Sequence, residues 1–251
     1  MVHIVGAGCG APDLITLRGK KHIGNADVII YAGSLVNREL LKYAKKECAL
    51  YDSAKMTLEE IIGVIAAAEQ KGLTTVRLHT GDPSLYGAIG EQMQELEKLG
   101  IEYDITPGVS AFSGAAAALK AEYTLPDLSQ TVIITRAAGR TDVPAAENLR
   151  SLASHGATMV LYLSTGLLDK VSGDLIAGGY NADTPAAIIY KATWPEEKVF
   201  RCTVGTLKQT AEKNGITKTA LIAVGKFLDR SFSRSRLYDP GFSTEFREAR
   251  K

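Results

Sequence analysis

Three short glycine-bearing turns hold most of the residues in this sequence that could bind a small molecule. They are GAGCGAPD at 6–13, TGDPS at 80–84 and PGVSA at 107–111, and each follows a run typical of a β-strand. Glycine lets a backbone approach a ligand closely, and the carboxyl ends of parallel strands meet at one edge of a sheet. The sequence therefore predicts a small-molecule crevice where these turns come together.

The first turn has the spacing of a dinucleotide fingerprint but departs from it in two ways. Gly6, Gly8 and Ala11 satisfy G-x-G-x-x-G/A directly after a predicted strand. Pro12 and Asp13 follow at once, so no helix can begin where a pyrophosphate would need its N–H groups. The second predicted strand also ends without an acid to hold a ribose hydroxyl. We therefore expect no nicotinamide cofactor, and a tight turn without any ligand is the alternative.

The second turn combines a histidine with a Gly-Asp pair. His79 ends a predicted strand, and Thr80, Gly81 and Asp82 follow it. The spacing predicts that Asp82 caps a helix whose first residue is Pro83. The same pair would also lie in the crevice where open α/β sheets bind ligands. His79 is either a strand-end histidine with a structural role or a general base, and no second ligand is spaced to share a metal with it.

The third turn places Ser110 ahead of a helix rich in small residues. The nucleophile motif G-x-S-x-G is not met, because Ala111 and Phe112 follow the serine. We interpret Ser110 as a helix N-cap, so the chemistry predicted for these turns is binding rather than nucleophilic attack.

The elements that must position these turns are strands alternating with amphipathic helices in the first half of the chain. A helix marked by Leu85, Ile89, Met93 and Leu96 is expected after the third strand, and Gly100 ends it. The predicted strands of this half are Val2–Val5, Asp27–Tyr31, Thr75–His79 and Tyr103–Thr106. Such nearly continuous apolar runs are typical of parallel strands buried on both faces.

The second half of the chain restarts after a polar, proline-containing segment. Its predicted strands are Val132–Arg136, Thr158–Leu163, Ala186–Thr193, Val199–Val204 and Ala220–Gly225. The four-residue gap WPEE at 194–197 predicts a hairpin, so this half should contain a mixed sheet. We predict two α/β domains with a cleft between them: 1–118, a linker at 119–130, 131–228, and a tail at 229–251.

Composition excludes several classes of protein. The 251 residues are 45% apolar, and 29 basic side chains balance 28 acidic ones to a formal charge of +1. This balance gives no electrostatic case for binding nucleic acid or a membrane surface. No apolar run approaches the roughly 20 residues of a membrane span, and no signal peptide is visible. Three scattered cysteines argue against disulfides and zinc, so we expect a cytoplasmic protein.

Together, the three turns resemble the signatures of the tetrapyrrole methylase family, whose members methylate precorrins, uroporphyrinogen and a few other substrates. VGAGCGAPDLITLRG, GDPSLYG and PGVSA match the family's motifs in order, and the likeness covers about residues 1–228. Cys9 and Ala11 stand where the family often has proline and an acid. The resemblance implies S-adenosylmethionine as cofactor, S-adenosylhomocysteine as its product, and a two-domain homodimer with the cofactor between the domains.

Further segments are similar to the branch that methylates carbon 11 of precorrin-4 or cobalt-precorrin-4. They are YAGSLVN (31–37), LHTGDPSLYGAIGEQM (78–93), ITRAAGRTDVP (134–144), HGATMVLYLS (155–164) and YKATWPEEK (190–198). The alternatives are a sister enzyme acting at another ring carbon of a precorrin or of uroporphyrinogen III, and a non-catalytic binding protein. The branch that acts on ribosomal RNA fits the near-neutral charge less well.

The resemblance also assigns roles to residues of this sequence. The implied cofactor contacts are Thr80, Gly81, Asp82, Leu85, Ser110, Ala111, Leu163, Ala192 and Ala220. The first glycine turn would line the substrate trough with Gly8, Pro12 and Asp13. Arg136 and Arg140 are candidates for binding the carboxylates of the macrocycle, as is Lys191, and Asp13 and His79 are candidates for a general base.

Overall fold

The computed structural model of the chain describes residues 1–229 and 232–250. The chain forms two compact units, one of Met1–Gly114 with Ala192–Pro195 and the other of Ala115–Lys191 with Glu196–Lys251. The short segment 192–195 therefore belongs to the first unit, although it lies far along the chain. The linker at 119–130 and the tail at 229–251 stay predictions.

The first unit contains a five-stranded, fully parallel sheet. Its strands are β1 (Val2–Gly6), β2 (Val28–Tyr31), β3 (Ala49–Asp52), β4 (Thr75–His79) and β5 (Tyr103–Thr106). They lie in the order β3-β2-β4-β1-β5, so β4 and β1 are central. Parallel strands end at the same edge of a sheet, which brings the turns after β1, β4 and β5 together as predicted.

Helices cover both faces of this sheet. They are α1 (Leu17–Asn25), α2 (Leu58–Glu69) and α3 (Ile89–Lys98), and α4 (Ala111–Leu119) follows β5. Helix α2 begins with the capping box formed by Thr57 and Glu60. One apolar core packs Val5, Ile29 and Leu78 on the face covered by α1, and a second packs Val2, Ile30 and Ile65 on the other face.

The second unit contains a five-stranded mixed sheet. Its strands are β6 (Val132–Arg136), β7 (Thr158–Tyr162), β8 (Pro185–Tyr190), β9 (Lys198–Thr203) and β10 (Ala220–Val224), in the order β6-β7-β10-β8-β9. Only β6 and β7 are parallel, and β8 and β9 form the predicted hairpin. Helices α5 (Leu149–Ala153), α6 (Leu168–Ala177) and α7 (Leu207–Lys213) cover its core. The predicted α/β class, with a parallel and a mixed sheet, is confirmed.

Short 3₁₀ helices make up much of the remaining chain. They are Pro12–Leu14, Arg38–Tyr43, Ser53–Lys55, Ala145–Glu147, Thr165–Leu167, Val204–Thr206, Lys226–Asp229 and Arg236–Tyr238. The last of these lies in the predicted tail, to which the sequence assigned no structure.

Candidate functional site

Three glycines in the turns after β1, β4 and β5 pack directly against one another. A Cβ atom on Gly108 would lie 2.1 Å from the carbonyl oxygen of Gly81, and one on Gly6 would lie 2.6 Å from Cα of Gly108. Side chains at either position are therefore excluded by backbone rather than by movable side-chain atoms. This backbone contact explains why two of the three turns must carry glycine where they do.

Hydrogen bonds between backbone atoms join the first two turns. The N–H of Gly8 donates to the carbonyl oxygen of Gly81 at 3.2 Å, and the N–H of Gly81 donates back to Gly8 at 2.9 Å. Both residues have positive φ, +80° at Gly8 and +62° at Gly81, which favours glycine. A Cβ on Gly81 would meet only ordinary contacts, 3.5 Å from the backbone N of Ala111, so the space beside Gly81 and Ala111 is open to another atom.

The carboxylate of Asp82 joins the second turn to the third. Its Oδ2 accepts from the N–H of Gly108 at 2.9 Å, and its Oδ1 accepts from the N–H of Ser84 at 2.9 Å and from the Ser84 hydroxyl. Burial by itself raises the pKa of Asp82, but the hydrogen bonds from Ser84 and Gly108 outweigh it, and the pKa lies below its usual value. Asp82 is therefore ionised, and its carboxylate links the second turn to the third at this edge of the sheet.

The predicted helix cap at Asp82 is wrong. Residues 83–86 form a turn, and α3 begins only at Ile89. Tyr86 and Ala88 have φ values of +56° and +49°, which no right-handed helix can contain. The hydrogen bond from the Ser84 N–H to Asp82 therefore stabilises a local turn and not a helix start. Leu85, predicted as the first apolar residue of the helix, lies half-buried in that turn.

Buried polar atoms without a protein partner gather at the same edge. Among the described residues, Nε2 of His79 and the hydroxyls of Thr80 and Thr106 are buried and form no hydrogen bond. These residues end β4, follow β4 and end β5, so all three lie next to the glycine turns. A buried polar group without a partner costs free energy, and a ligand with polar atoms would relieve that cost here.

His79 is neutral in this environment. Burial, together with the smaller effect of the positive charge of Arg77 on the same strand, lowers its pKa to about 3. Arg77 is itself buried, and it donates from Nε to Gln92 at 2.9 Å and from Nη1 to the carbonyl of Ile30 at 3.1 Å. A base with so low a pKa holds a proton poorly, so the geometry favours His79 as a neutral hydrogen-bonding group over the predicted general base.

The first turn continues as the sequence indicated. Pro12–Leu14 form a short 3₁₀ helix, and α1 begins only at Leu17, where the Thr16 hydroxyl caps the N–H of Gly19 at 3.0 Å. The first α-helix after the glycines begins only at Leu17, as the argument from Pro12 and Asp13 predicts. Asp13 is exposed to solvent.

Two of the remaining cofactor candidates lie at one end of the mixed sheet. Leu163 directly follows β7, and Ala220 is the first residue of β10, which pairs antiparallel with β7. The side chain of Leu163 is 66% exposed, and its backbone has a φ of +51°. The third candidate, Ala192, is buried and belongs to the first unit.

Arg136 makes contacts that the sequence did not predict. Its Nη1 donates to the carbonyl of Thr141 at 3.0 Å, and its Nη2 donates to the carbonyl of Asp142 at 2.6 Å. The guanidinium therefore fixes the loop after β6. Arg140 lies within that loop and is exposed. Lys191 forms an ion pair with Glu196, with 3.1 Å between Nζ and Oε1.

Sequence reasoning missed the backbone strain around the predicted cofactor residues. Of the non-glycine residues with positive φ, most adjoin those candidates: Tyr86, Ala88, Leu163, Lys191, Thr193 and Thr219. Such conformations cost free energy and persist only where surrounding contacts enforce them, which is typical of ligand sites. The sequence carries no signal for them, because none of these positions is a glycine or an asparagine.

Two other features of the first unit lie apart from the turns. His3, His22 and Asp104 hold possible metal-ligand atoms within 4.8 Å of one another. The two imidazole rings are tilted against each other, with centroids 3.8 Å apart and planes at 31°, and Nδ1 of His3 is hydrogen-bonded to Oδ1 of Asp104 at 2.9 Å. An open groove of about 980 Å³ runs along β3 and α2, and none of its lining residues belongs to the three glycine-bearing turns.

Comparisons with known proteins agree with the motifs. Residues 1–208 match the family model described as Tetrapyrrole (Corrin/Porphyrin) Methylases. The chain is 54% identical over 251 residues to a cobalt-precorrin-4 C(11)-methyltransferase of Methanocaldococcus jannaschii, covering 100% of this chain and 97% of that protein. It is 43% identical to a precorrin-4 C(11)-methyltransferase of Pseudomonas aeruginosa, covering 96% and 99%.

Solved structures resemble the chain in the same way. The X-ray structure of a cobalt precorrin-4 methyltransferase has a TM-score of 0.89 and 48% identity, covering 91% of this chain and 95% of that one. A uroporphyrin-III C-methyl transferase from Thermus thermophilus, complexed with S-adenyl homocysteine, has a TM-score of 0.74 at 23% identity, covering 94% and 96%, and shows a likeness of fold alone. No helix in the described part of the chain is long and apolar enough to cross a membrane.

Proposed function

Because the chain belongs to the tetrapyrrole (corrin/porphyrin) methylase family, we propose that it methylates carbon 11 of cobalt-precorrin-4 or precorrin-4. The observation that carries this function is identity along the whole chain to relatives named for that reaction. The family and the relatives make the protein a C-methyltransferase. Identity is higher to relatives named for the cobalt-containing substrate, 54% and 46% against 44% and below, which favours cobalt-precorrin-4.

The methyl donor in this proposal is S-adenosylmethionine, whose sulfonium supplies a methyl group that is already electrophilic. The turns of the first unit fit such a molecule. Gly81 leaves open space beside Ala111, and the Thr80 hydroxyl is a buried group that needs a polar partner. A ribose or amino-acid group would satisfy that hydroxyl, and small residues such as Ser110 would leave room for an adenosine.

The protein's contribution to the reaction is orientation and exclusion of water. A precorrin ring carbon is enamine-like and would attack the methyl carbon directly. The carbon–sulfur bond would break to release neutral S-adenosylhomocysteine, and the macrocycle would lose a proton, so no protein nucleophile is required. Holding the two reactants in line can supply roughly 7–11 kcal/mol of the barrier. Asp82 keeps the second and third turns in register for this task, because both of its oxygens bind those turns. Neutral His79 offers a hydrogen bond at the same edge.

The proposed substrate contacts lie on two loops, the turn after β1 and the loop after β6. Gly8, Pro12 and Asp13 lie on the loop proposed to receive the macrocycle, and Arg140 is exposed and able to bind one of its peripheral carboxylates. Arg136 contributes indirectly, since it orders the loop that carries Arg140. We also propose Leu163, Ala192 and Ala220 as cofactor contacts, a homodimer as the assembly, and the cytoplasm as the location.

One incubation tests the proposed function. The protein is mixed with methyl-labelled S-adenosylmethionine and, separately, with cobalt-precorrin-4, precorrin-4 and uroporphyrinogen III, and NMR locates the label on the product. We expect transfer to carbon 11 of a precorrin-4 substrate and none to uroporphyrinogen III. Transfer to another ring carbon would identify a sister enzyme. Binding of all ligands without transfer would identify a non-catalytic binding protein.

A further inference from the structure

The turn at Cys9–Ala11 is bound by a residue far away in the sequence. The N–H of Ala11 donates to the hydroxyl oxygen of Thr193 at 3.0 Å, and that hydroxyl donates in turn to Sγ of Cys9 at 3.5 Å. Thr193 lies in the connection between β8 and β9, and all three residues belong to the first unit. The Thr193 hydroxyl therefore both accepts a hydrogen bond from this turn and donates one to it.

Trp194 packs against the middle of that turn. A Cβ atom on Gly10 would lie 2.3 Å from Cδ1 of the indole, so the ring occupies the place of a side chain. From within the first half of the chain, Nδ2 of Asn37 donates to the carbonyl oxygen of Gly10 at 2.9 Å. The turn is therefore held at its backbone from two directions.

Backbone strain shows that the Thr193 contact is enforced. Thr193 has a φ of +68°, and Lys191 two residues earlier has a φ of +47°. A β-branched residue with positive φ is an outlier that persists only where surrounding contacts over-determine it. The two hydrogen bonds of Thr193 and the packing of Trp194 are contacts of that kind.

The Cys9 and Thr193 side chains also pack against a glycine of the first unit. A Cβ on Gly114 would lie 2.8 Å from Sγ of Cys9 and 3.2 Å from Cγ2 of Thr193. Cys9, Gly114 and Thr193 therefore fit closely against one another.

We infer that Thr193 and Trp194 are positioning residues that fix the Cys9–Ala11 turn in the shape that binds the macrocycle. The inference rests on the proposed function, in which the loop at 6–13 receives the tetrapyrrole. Without the Thr193 hydroxyl, the Ala11 amide loses its partner and the turn that carries Gly8 and Asp13 becomes free to move. Binding of the macrocycle then weakens, while the turns after β4 and β5 keep their shape.

The experiment compares Thr193→Val, which removes the hydroxyl, with Thr193→Ser, which keeps it, and with Thr217→Val, the same change at an exposed site. The rate of hydrogen exchange at the Ala11 amide measures whether its hydrogen bond to Thr193 is kept. Because Trp194 is the only tryptophan in the chain, quenching of its fluorescence reports the binding of cobalt-precorrin-4. Calorimetry reports the binding of S-adenosylhomocysteine.

We expect Thr193→Val to speed exchange at Ala11 at least tenfold and to raise the Kd of cobalt-precorrin-4 at least tenfold, with the Kd of S-adenosylhomocysteine within twofold of wild type. Thr193→Ser should restore both values, and Thr217→Val should change neither. Unchanged exchange at Ala11 would overturn the inference, as would a fall in stability with no change in macrocycle binding.

The outcome is separable from that of the proposed function. A wild type that binds cobalt-precorrin-4, responds to Thr193→Val as expected and transfers no methyl group would contradict the proposed reaction and support the positioning role. A wild type whose fluorescence does not respond to the macrocycle would overturn the positioning role.

Discussion

The candidate residues of the two units are held in place by different means. In the first unit, Gly6, Gly81 and Gly108 pack backbone against backbone, and Asp82 ties two of their turns together. In the second unit, Leu163 and the residue before Ala220 are not glycines, yet both have positive φ. A Cβ at Gly6 or Gly108 would overlap backbone atoms, whereas Leu163 and Thr219 carry strain that a glycine would remove. Substitution should therefore cost more stability at Gly108 than at Leu163.

The largest effect is expected for Gly108→Ala. Its Cβ would meet the Gly81 carbonyl oxygen at 2.1 Å, so the backbone of two turns must shift. Overpacking of this kind costs about 1–3 kcal/mol or more, and binding of S-adenosylhomocysteine should fall at least tenfold. The matched control is Gly63→Ala in α2, where a Cβ meets nothing within 4 Å and stability should rise by about 0.5–1 kcal/mol. Thermal unfolding and calorimetry with equal results for both variants would disprove the glycine contact.

The next effect is the dependence of stability on pH in the first unit. His79 has a pKa of about 3 in the folded protein and about 6.5 when unfolded. Its contribution is therefore complete above pH 6.5 and is lost as the pH falls toward 3, because the unfolded chain binds the proton. This loss amounts to about 2 kcal/mol between pH 7 and pH 5.

Urea unfolding at the two pH values measures that contribution. His79→Asn should reduce the difference in unfolding free energy between pH 7 and pH 5 by about 2 kcal/mol. His155→Asn, at an exposed histidine of the second unit, should leave the difference as it is. If His79→Asn retains the full difference, His79 is not buried in its neutral form.

A tenfold effect is expected at the loop after β6. Arg140→Ala should weaken methyl transfer to cobalt-precorrin-4 about tenfold, or roughly 1.4 kcal/mol, with no change in stability. Arg136→Ala should produce a similar loss together with lower stability, since its guanidinium holds the carbonyls of Thr141 and Asp142. Wild-type turnover in both variants would show that the macrocycle is bound elsewhere.

The smallest effect is expected at Leu163, where glycine replaces a strained residue. Leu163→Gly removes a side chain that is 66% exposed and relieves a φ of +51°. Relief of strain and the greater freedom of glycine in the unfolded chain nearly cancel, so stability should change by less than about 1 kcal/mol. Affinity for S-adenosylhomocysteine should fall severalfold. A large loss of stability would contradict the contrast between the two units.

The same contrast explains what the sequence could predict. Strands β4, β5 and β6 were predicted with the boundaries that the structure has, because short runs rich in β-branched and aromatic residues are local signals. The three turns were predicted to converge, because the carboxyl ends of parallel strands lie at one edge of the sheet. Strand β3 was missed because its four residues, ALYD, are largely exposed and include no β-branched residue.

The remaining errors arose where long-range contacts override local preference. Asp82 and Pro83 have the pattern of a helix start, but Tyr86 and Ala88 adopt positive φ and delay α3 to Ile89. The bond from Ala11 to Thr193 spans 182 residues, and no local signal predicts it. The bonds of Arg136 to the carbonyls of Thr141 and Asp142 also carry no local signal, and its role in binding the substrate stays a prediction.

The central claim is that the turns after β4 and β5 hold the cofactor, and a matched pair of glycine variants tests it. Gly81 and Gly100 have nearly equal φ values, +62° and +65°, but Gly81 lies beside Ala111 and Gly100 has nothing within 4 Å. Replacing either with valine should cost similar stability, of the order of 1–2 kcal/mol. Calorimetry should then show that Gly81→Val loses binding of S-adenosylhomocysteine while Gly100→Val retains it. Equal binding by the two variants would contradict the claim.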